Sequence, residues 1–473
     1  MFVSLMTCAS FFLYVNWRFT AAHAPSPIIT ELMSQPLLRK LEVAEGAGKT
    51  AVYLAPTFDP YQTSYRLQVP FEQLVVRIRA VPFSEDMLMQ VEGTTLDPDH
   101  WLNYTCGTGE TTLTIHLTTR DRSHTLNSYT LVLNRQRPTP PPNVDALRVC
   151  QIYQECELKV DESRSCGISR LSGSRADSAV SWASYWSGRQ HLPLCKNGFS
   201  ADARWLVPCQ SCSAGSGGAG SSSSRGIGCA WDEARWTYPD CQHVATPRVV
   251  LQHCLANTKI LFLGDSTLRG MMFEALQQLN GSLARWEKAH DVTIYNQTNR
   301  GHTTFAFAYY PKFWRRKLPS FELTLKRLID KVPVSRVKGE DMILVMGGVH
   351  WLSKIHMDTA LKLLSEQGLH GVKVVVKTLG AGFHQRVHGV HYLPKEGLRK
   401  VISHNQQLIT QSLQRGFGVV DTFRMTYARF KDFTEGKCAC HFHKVNKVHS
   451  GLYKVEGSVN RQYTNMMLQS LCS

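Results

Sequence analysis

Residues 135–143 read RQRPTPPPN. Consecutive prolines continue neither a strand ladder nor a helix, because each lacks the backbone N–H and fixes φ, so the run is an extended joint. It divides a chain of 473 residues, long enough for two or three domains that each bury a core, into parts of different hydrophobic period. Upstream, from residue 52 to about 135, apolar and polar residues alternate in YRLQV, LVVRIRAV, MLMQVEG, TTLTIHLTT and YTLVLNR. That period is the mark of half-buried strands, and the regular spacing of the polar turns points to a small antiparallel sandwich. Downstream of about 255 the apolar runs become continuous. Strands are expected at 259–263, 342–346, 372–377 and 416–420, with helices near 267–279, 357–367, 395–414 and 459–471. Continuous runs separated by amphipathic helices imply a mostly parallel sheet covered on both faces.

The upstream strands resemble the cadherin-like β-sandwich family through Tyr65-x-Leu67-x-Val69, TTLTIHL and the closing SYTLVLNR (Tyr129, Leu131, Leu133, Arg135). Calcium-ligand clusters of the kind true cadherin repeats use are not seen in the sequence, so adhesion is not implied.

Between the two regions the chain is rich in cysteine. Nine of its fourteen cysteines fall between Cys150 and Cys254, a density that suits disulfides in an oxidising compartment. Sequons at Asn103, Asn280 and Asn296 fit the same compartment. The run SAGSGGAGSSSSRG at 213–226 cannot bury a core and is expected to be a disordered surface loop. At the start of the sequence, the apolar run Phe2–Val15 followed by Ala22-His23-Ala24 reads as a signal peptide or short signal anchor over 1–24. Its missing basic n-region leaves room for a truncated start. Luminal or secreted placement follows, with membrane contact only through such an anchor.

The net charge of +16, densest over 311–338, favours either a solvated helix face or an anionic partner. In a secreted protein that partner is an acidic or sulfated glycan rather than nucleic acid.

The chemistry concentrates at NTKILFLGDSTLRGMM, 257–272. An apolar strand that turns through Gly264-Asp265 into a helix sets Ser266 at the carboxyl edge of the sheet, above helix amides, where a nucleophile would be held. The competing reading is that Ser266 merely caps the helix. Gly347-Gly348-Val349-His350 and Asp421 also follow strand ends and would share that rim.

With the lead-in CAWDEARWTYPDCQ at 229–242 and GGVHW at 347–351, this motif resembles the PC-esterase family, a branch of the SGNH and GDSL hydrolases that attaches or removes acyl groups on glycans. The resemblance covers roughly 229–473. It implies a multi-domain chain: a cadherin-like sandwich at 52–135, a Pro-rich linker and Cys-rich segment at 136–228, and an α/β/α SGNH-like hydrolase domain at 229–473. It further implies Ser266 as nucleophile, an oxyanion hole from the Ser266 amide and Gly348, an acylated or acidic glycan as substrate, and no cofactor. Asp265 is read as structural. Arg269 either reaches the substrate or forms a surface ion pair, and Gly301 either donates to the hole or is a turn glycine. Where the family's Gly-x-Asn would stand the sequence has Gly348-x-His350, so His350 either supplies the missing donor or marks an altered hole.

The family's base comes from Asp-x-x-His near the C-terminus. Here the segment DFTEGKCACHFHKV, 432–445, offers Cys438-x-x-His441 and Cys440-x-x-His443, with cysteine in the acid position both times. His441, followed by Phe442 as in relatives, is the expected base and His443 the second choice. Asp421, Asp432, Glu435 or a backbone carbonyl would orient the ring. Zinc on the cysteines and histidines of CACHFH, with Cys209 and Cys212, is the alternative chemistry; a disulfide from this loop to Cys472 is preferred.

Overall fold

The computed structural model describes residues 35–472 apart from 47–51, 153–167, 172–179, 196–201, 213–227, 313–318, 333–341, 383–394, 435–437 and positions 72, 93, 99, 138 and 289. The leader at 1–24, the Gly/Ser run, much of the basic 311–338 stretch and Glu435 lie outside the described residues. Among the described residues no helix is long and apolar enough to cross a membrane.

The first unit has strands β1 (Leu38–Glu45), β2 (Ser64–Val69), β3 (Val75–Pro82), β4 (Leu88–Val91), β5 (Thr94–Leu96), β6 (Leu102–Thr105), β7 (Gly109–Thr118) and β8 (Thr125–Arg135). They form two sheets, β1-β3-β6 and β2-β8-β7-β4-β5. Alternation does what the sequence implies: Tyr65, Leu67 and Val69 of β2 and Tyr129, Leu131 and Leu133 of β8 are buried between the sheets while their neighbours are not. Three strands, β1, β5 and β6, were not expected. β1 begins at Leu38, upstream of residue 52, and its sequence LRKLEVAE is made of helix formers. Antiparallel pairing along β3 overrides that local preference.

A third sheet, β9 (Arg148–Ile152), β10 (Ile168–Arg170), β11 (Arg204–Cys209) and β12 (Arg235–Thr237), runs in the order β10-β9-β11-β12. Disulfides Cys150–Cys212, Cys195–Cys241 and Cys209–Cys229 staple this Cys-rich region. Cys254–Cys472 closes the C-terminal helix onto the helix Arg248–Cys254. Such bridges belong to an oxidising, extracellular or secretory compartment.

The C-terminal region is mixed α/β. Its strands β13 (Thr258–Gly264), β14 (Thr293–Thr298), β15 (Thr303–Tyr309), β16 (Met342–Gly347), β17 (Lys373–Lys377) and β18 (Gly418–Val420) lie in the order β14-β15-β13-β16-β17-β18. All neighbours are parallel except the edge strand β14. Both faces are covered, so Ile260 to Leu263 of β13 are all buried, as a parallel strand requires. β15 joins β13 on one side and β16 on the other, so the end of β13 is a topological switch point, where sheets of this kind leave a crevice for ligands. A final hairpin, β19 (Lys444–Lys447) with β20 (Tyr453–Glu456), follows the CACHFH loop.

Candidate active site

The elbow after β13 is built by Asp265, not by the serine. Asp265 is the N-cap of the helix Ser266–Asn280: its Oδ1 accepts from Thr267 N at 2.9 Å and Thr267 Oγ1 at 2.7 Å. Its Oδ2 accepts from Val349 N at 2.8 Å, tying the loop after β16 to the elbow. Because the cap is already supplied, the capping reading of Ser266 loses its basis. The serine is the first helical residue, half-buried. His441 Nε2 stands 2.7 Å from its Oγ.

Two glycines make room for this arrangement. A Cβ on Gly348 would fall 2.4 Å from Asp265 Oδ2 and 2.2 Å from Trp351 Nε1. A Cβ on Gly270 would fall 2.1 Å from the His443 ring. His443 is thus packed beneath the helix rather than at the serine. Burial, with the His441 and Arg269 charges nearby, pulls its imidazole down to about 3, so it is neutral at ordinary pH. The second choice of base, His443, is thus placed as a packing residue against Gly270, and His441 is the histidine at Ser266.

The candidate orienting acids are likewise occupied elsewhere. Asp421 sits on the expected rim after β18, but its carboxylate accepts from Thr378 Oγ1 at 2.8 Å and Phe423 N at 3.3 Å, and burial raises its pKa. Asp432 is chelated by Arg429 (Oδ1 3.0 Å from Nη2) and Arg137 (2.6 Å). Burial pushes that carboxyl up, but the Arg137 and Arg429 guanidiniums prevail and hold it below the usual range. What faces His441 Nδ1 is Cys438 Sγ, at 3.8 Å.

Cys438 is bridged to Cys440. The expected disulfide to Cys472 is therefore not the one formed, since Cys472 pairs with Cys254. Cys438, Cys440 and His441 do present ligand atoms within 4.8 Å of one another, but sulfurs joined in a disulfide are not the thiolates that bind zinc. Cys209 and Cys212 are each consumed in separate bridges.

Other expected residues separate by location. Arg269 is half-buried, with its guanidinium 5.6 Å from the centroid of the Tyr309 ring. His350 is exposed on the loop after β16. Gly301 precedes β15, a strand parallel to β13, so it lies at the amino edge of the sheet, opposite Ser266; with φ of +87° it is a turn glycine.

Two residues escaped the sequence reading. Tyr309 ends β15 beside the elbow, and its phenol hydrogen-bonds with both the side chain and the backbone of Ser266, contacts that partly offset the rise caused by burial. Lys377 ends β17 wholly buried, its Nζ donating to Gly348 O at 3.1 Å. Burial pulls its ammonium down to about 8, against the opposing effect of Asp265 and Asp421. The signal was available in both cases, as a polar tip closing an apolar run, and β15 would have had to be recognised first.

Among solved structures the chain is similar to the extracellular domain of a one-component system from B. thetaiotaomicron, at 18% identity and a TM-score of 0.16, over 22% of this chain and 15% of that one. The chain thus spans a small part of that protein. A family model described as a cadherin-like beta sandwich domain matches residues 38–136. These are the bounds of the two-sheet unit that opens at β1, and the N-terminal unit of the chain is a cadherin-like β-sandwich domain.

Proposed function

We propose that the C-terminal region is an SGNH-like PC-esterase that cleaves or transfers an acyl group on a glycan, with Ser266 as nucleophile and His441 as base. The observation that carries this reading is the 2.7 Å contact between Ser266 Oγ and His441 Nε2, made at the carboxyl rim of a parallel sheet. A hydroxyl is inert at its own pKa and needs such a base. Ser266 Oγ attacks the ester carbonyl as its proton passes to Nε2. The tetrahedral oxyanion is met by the Ser266 amide at the helix start and by backbone near Gly348. The departing sugar hydroxyl takes the proton back from His441, leaving an acyl-serine. Water or a second hydroxyl then resolves the ester, and these two outcomes distinguish hydrolase from transferase. The net charge of +16 and the secretory placement favour an acidic glycan as the acyl carrier.

The test is labelling by a fluorophosphonate probe, which reacts only with an activated serine, together with turnover of acetylated glycans. Ser266→Ala should abolish both with the fold intact, a loss of up to about 10⁶ in turnover for a nucleophile. Hydrolysis by the purified variant at the parent rate would place the site elsewhere.

A second reading has one observation in its favour. The acid position before His441 is filled by a disulfide-bonded cysteine, as expected of a non-catalytic glycan-binding or extracellular interaction protein on a decayed esterase fold. A parent chain that binds acidic glycans but never takes the probe would establish it.

A further inference from the structure

The Cys438–Cys440 bridge closes a ring across one residue, Ala439. Ala439 has φ of +46°, in the left-handed region that a residue with a side chain enters at a cost. The ring rests on the strand rim: a Cβ on Gly382 would lie 2.7 Å from Cys440 Cβ. Cys440 is buried and Cys438 half-buried, so an incoming thiolate reaches Cys438 Sγ first. That sulfur lies 3.8 Å from His441 Nδ1, while the other ring nitrogen holds Ser266. Bridged, the sulfur is neutral and a weak acceptor. As a thiolate it would carry the negative charge that a carboxylate carries in the same sequence position.

We propose that the Cys438–Cys440 disulfide is a redox switch on the Ser266–His441 pair, and that reduction makes Cys438 the positioning residue of a Ser-His-Cys triad. The inference rests on the reading of Ser266 and His441 given above. The reductant is a dithiol. One of its thiolates attacks Cys438 Sγ, the S–S bond breaks, and the electron pair leaves on Cys440 Sγ, which takes up a proton. The second thiol attacks the mixed disulfide, forming the reductant's own disulfide and releasing Cys438 as a thiolate; two electrons have passed to the protein. The thiolate accepts the Nδ1–H of His441 and stabilises the imidazolium that forms when Nε2 takes the serine proton. A bridge across one residue restrains the unfolded chain little, so the fold survives its loss. The other four described bridges span 20 to 218 residues and hold the framework.

The experiment uses the full chain, no added reductant, and the fluorophosphonate labelling rate of Ser266. Cys440→Ala and Cys438→Ala both remove the bridge, but only the first leaves a thiol beside Nδ1. Cys440→Ala should label at least about tenfold faster than the parent, a modest share of the about 10⁴ that an orienting acid is worth in serine proteases. Its rate should also show an alkaline rise around the ordinary thiol pKa of about 8.5. Cys438→Ala, which loses the bridge without gaining a thiolate at Nδ1, should label at least about tenfold more slowly than Cys440→Ala and show no alkaline rise. Cys438→Asp combined with Cys440→Ala should be fast without the alkaline rise. In the parent chain under a dithiol titration, labelling should climb in step with alkylation of Cys438 and Cys440 read by mass spectrometry. Equal rates for the two single variants, or a flat rate while both cysteines become alkylated, would overturn the switch and leave the Ser266–His441 reading standing. No labelling in any chain, the carboxylate double variant included, would overturn that reading and the switch with it.

Discussion

At the scale of single residues, the two histidines of CACHFH differ in place, His441 at Ser266 and His443 buried against Gly270, and pH separates them. His443 has its pKa lowered from 6.5 to about 3 by burial. In the unfolded chain it binds a proton below 6.5; in the folded chain it does so only near 3. Its share of stability is therefore complete above the unfolded value and is lost as pH falls between the two, by up to about 1.4 kcal/mol per pH unit. His443→Gln, which cannot charge, should flatten that part of the acid limb in urea melts taken across this window, relative to the parent. An unchanged limb would mean that the ring is solvated after all. The sequence favoured His441 over His443 through the aromatic residue that follows His441, and it is His441 that lies within 2.7 Å of Ser266 Oγ. It could not show how Asp421 and Asp432 are held, because beside their local partners Phe423 and Arg429 each has one, Thr378 and Arg137, that lies 43 and 295 positions away and is brought up only by tertiary structure.

At the scale of elements, the site is an agreement between two loops. Asp265 caps one helix and holds the amide after β16 with the same carboxylate. Asp265→Ala removes a cap worth about 1 kcal/mol and strands the buried Val349 N–H, a further cost of about 1–3 kcal/mol. The expected loss is about 2–4 kcal/mol in a denaturant melt, with slower serine labelling because Gly348 is no longer held against the elbow. A loss below about 0.5 kcal/mol, the usual range of surface substitutions, would show that Thr267 and Val349 find other acceptors. Elements of continuous β-branched residues, β13, β16 and β17, were legible from sequence to within a residue or two at each end. β15 was not. Its core reads Phe305-Ala306-Phe307-Ala308, and alanine is depleted in strands, so the central sheet was read two strands short, β14 and β15, on the very side where Tyr309 meets Ser266. The helix Phe321–Lys331 bears out the solvated-face reading of that part of the basic stretch: Glu322, Lys326 and Arg327 are exposed while Phe321, Leu325 and Leu328 are buried.

At the scale of the whole molecule, the sandwich docks on the segment that carries the proposed base. Thr108 N donates to Phe433 O at 2.8 Å, Arg135 Nη2 donates to Lys431 O, and Arg137 pairs with Asp432. One residue further on, Thr434 N donates to His441 O at 2.6 Å. A short chain of contacts thus runs from the end of β8 to the imidazole, with Asp432 as its charged centre, 3% exposed. Removing one partner of a buried pair leaves the other charge uncompensated and costs about 3–5 kcal/mol. Asp432→Asn keeps the shape and removes the charge, so buried Arg429 loses the anion it is paired with and Arg137 is left to the exposed Asp232. The sandwich and the α/β region should then melt as two transitions in calorimetry instead of one, and the labelling rate of Ser266 should fall because the loop holding His441 has lost its anchor. The carboxyl's lowered pKa gives the same result by another route: its contribution is present above the unfolded value of 3.8 and is lost as pH falls through the lower folded value, so the parent below that range should behave as the variant does at neutral pH. A single transition at the parent temperature, with labelling undiminished, would show that the sandwich and the site are independent and that the prolines of 138–142 join two units with no bearing on each other.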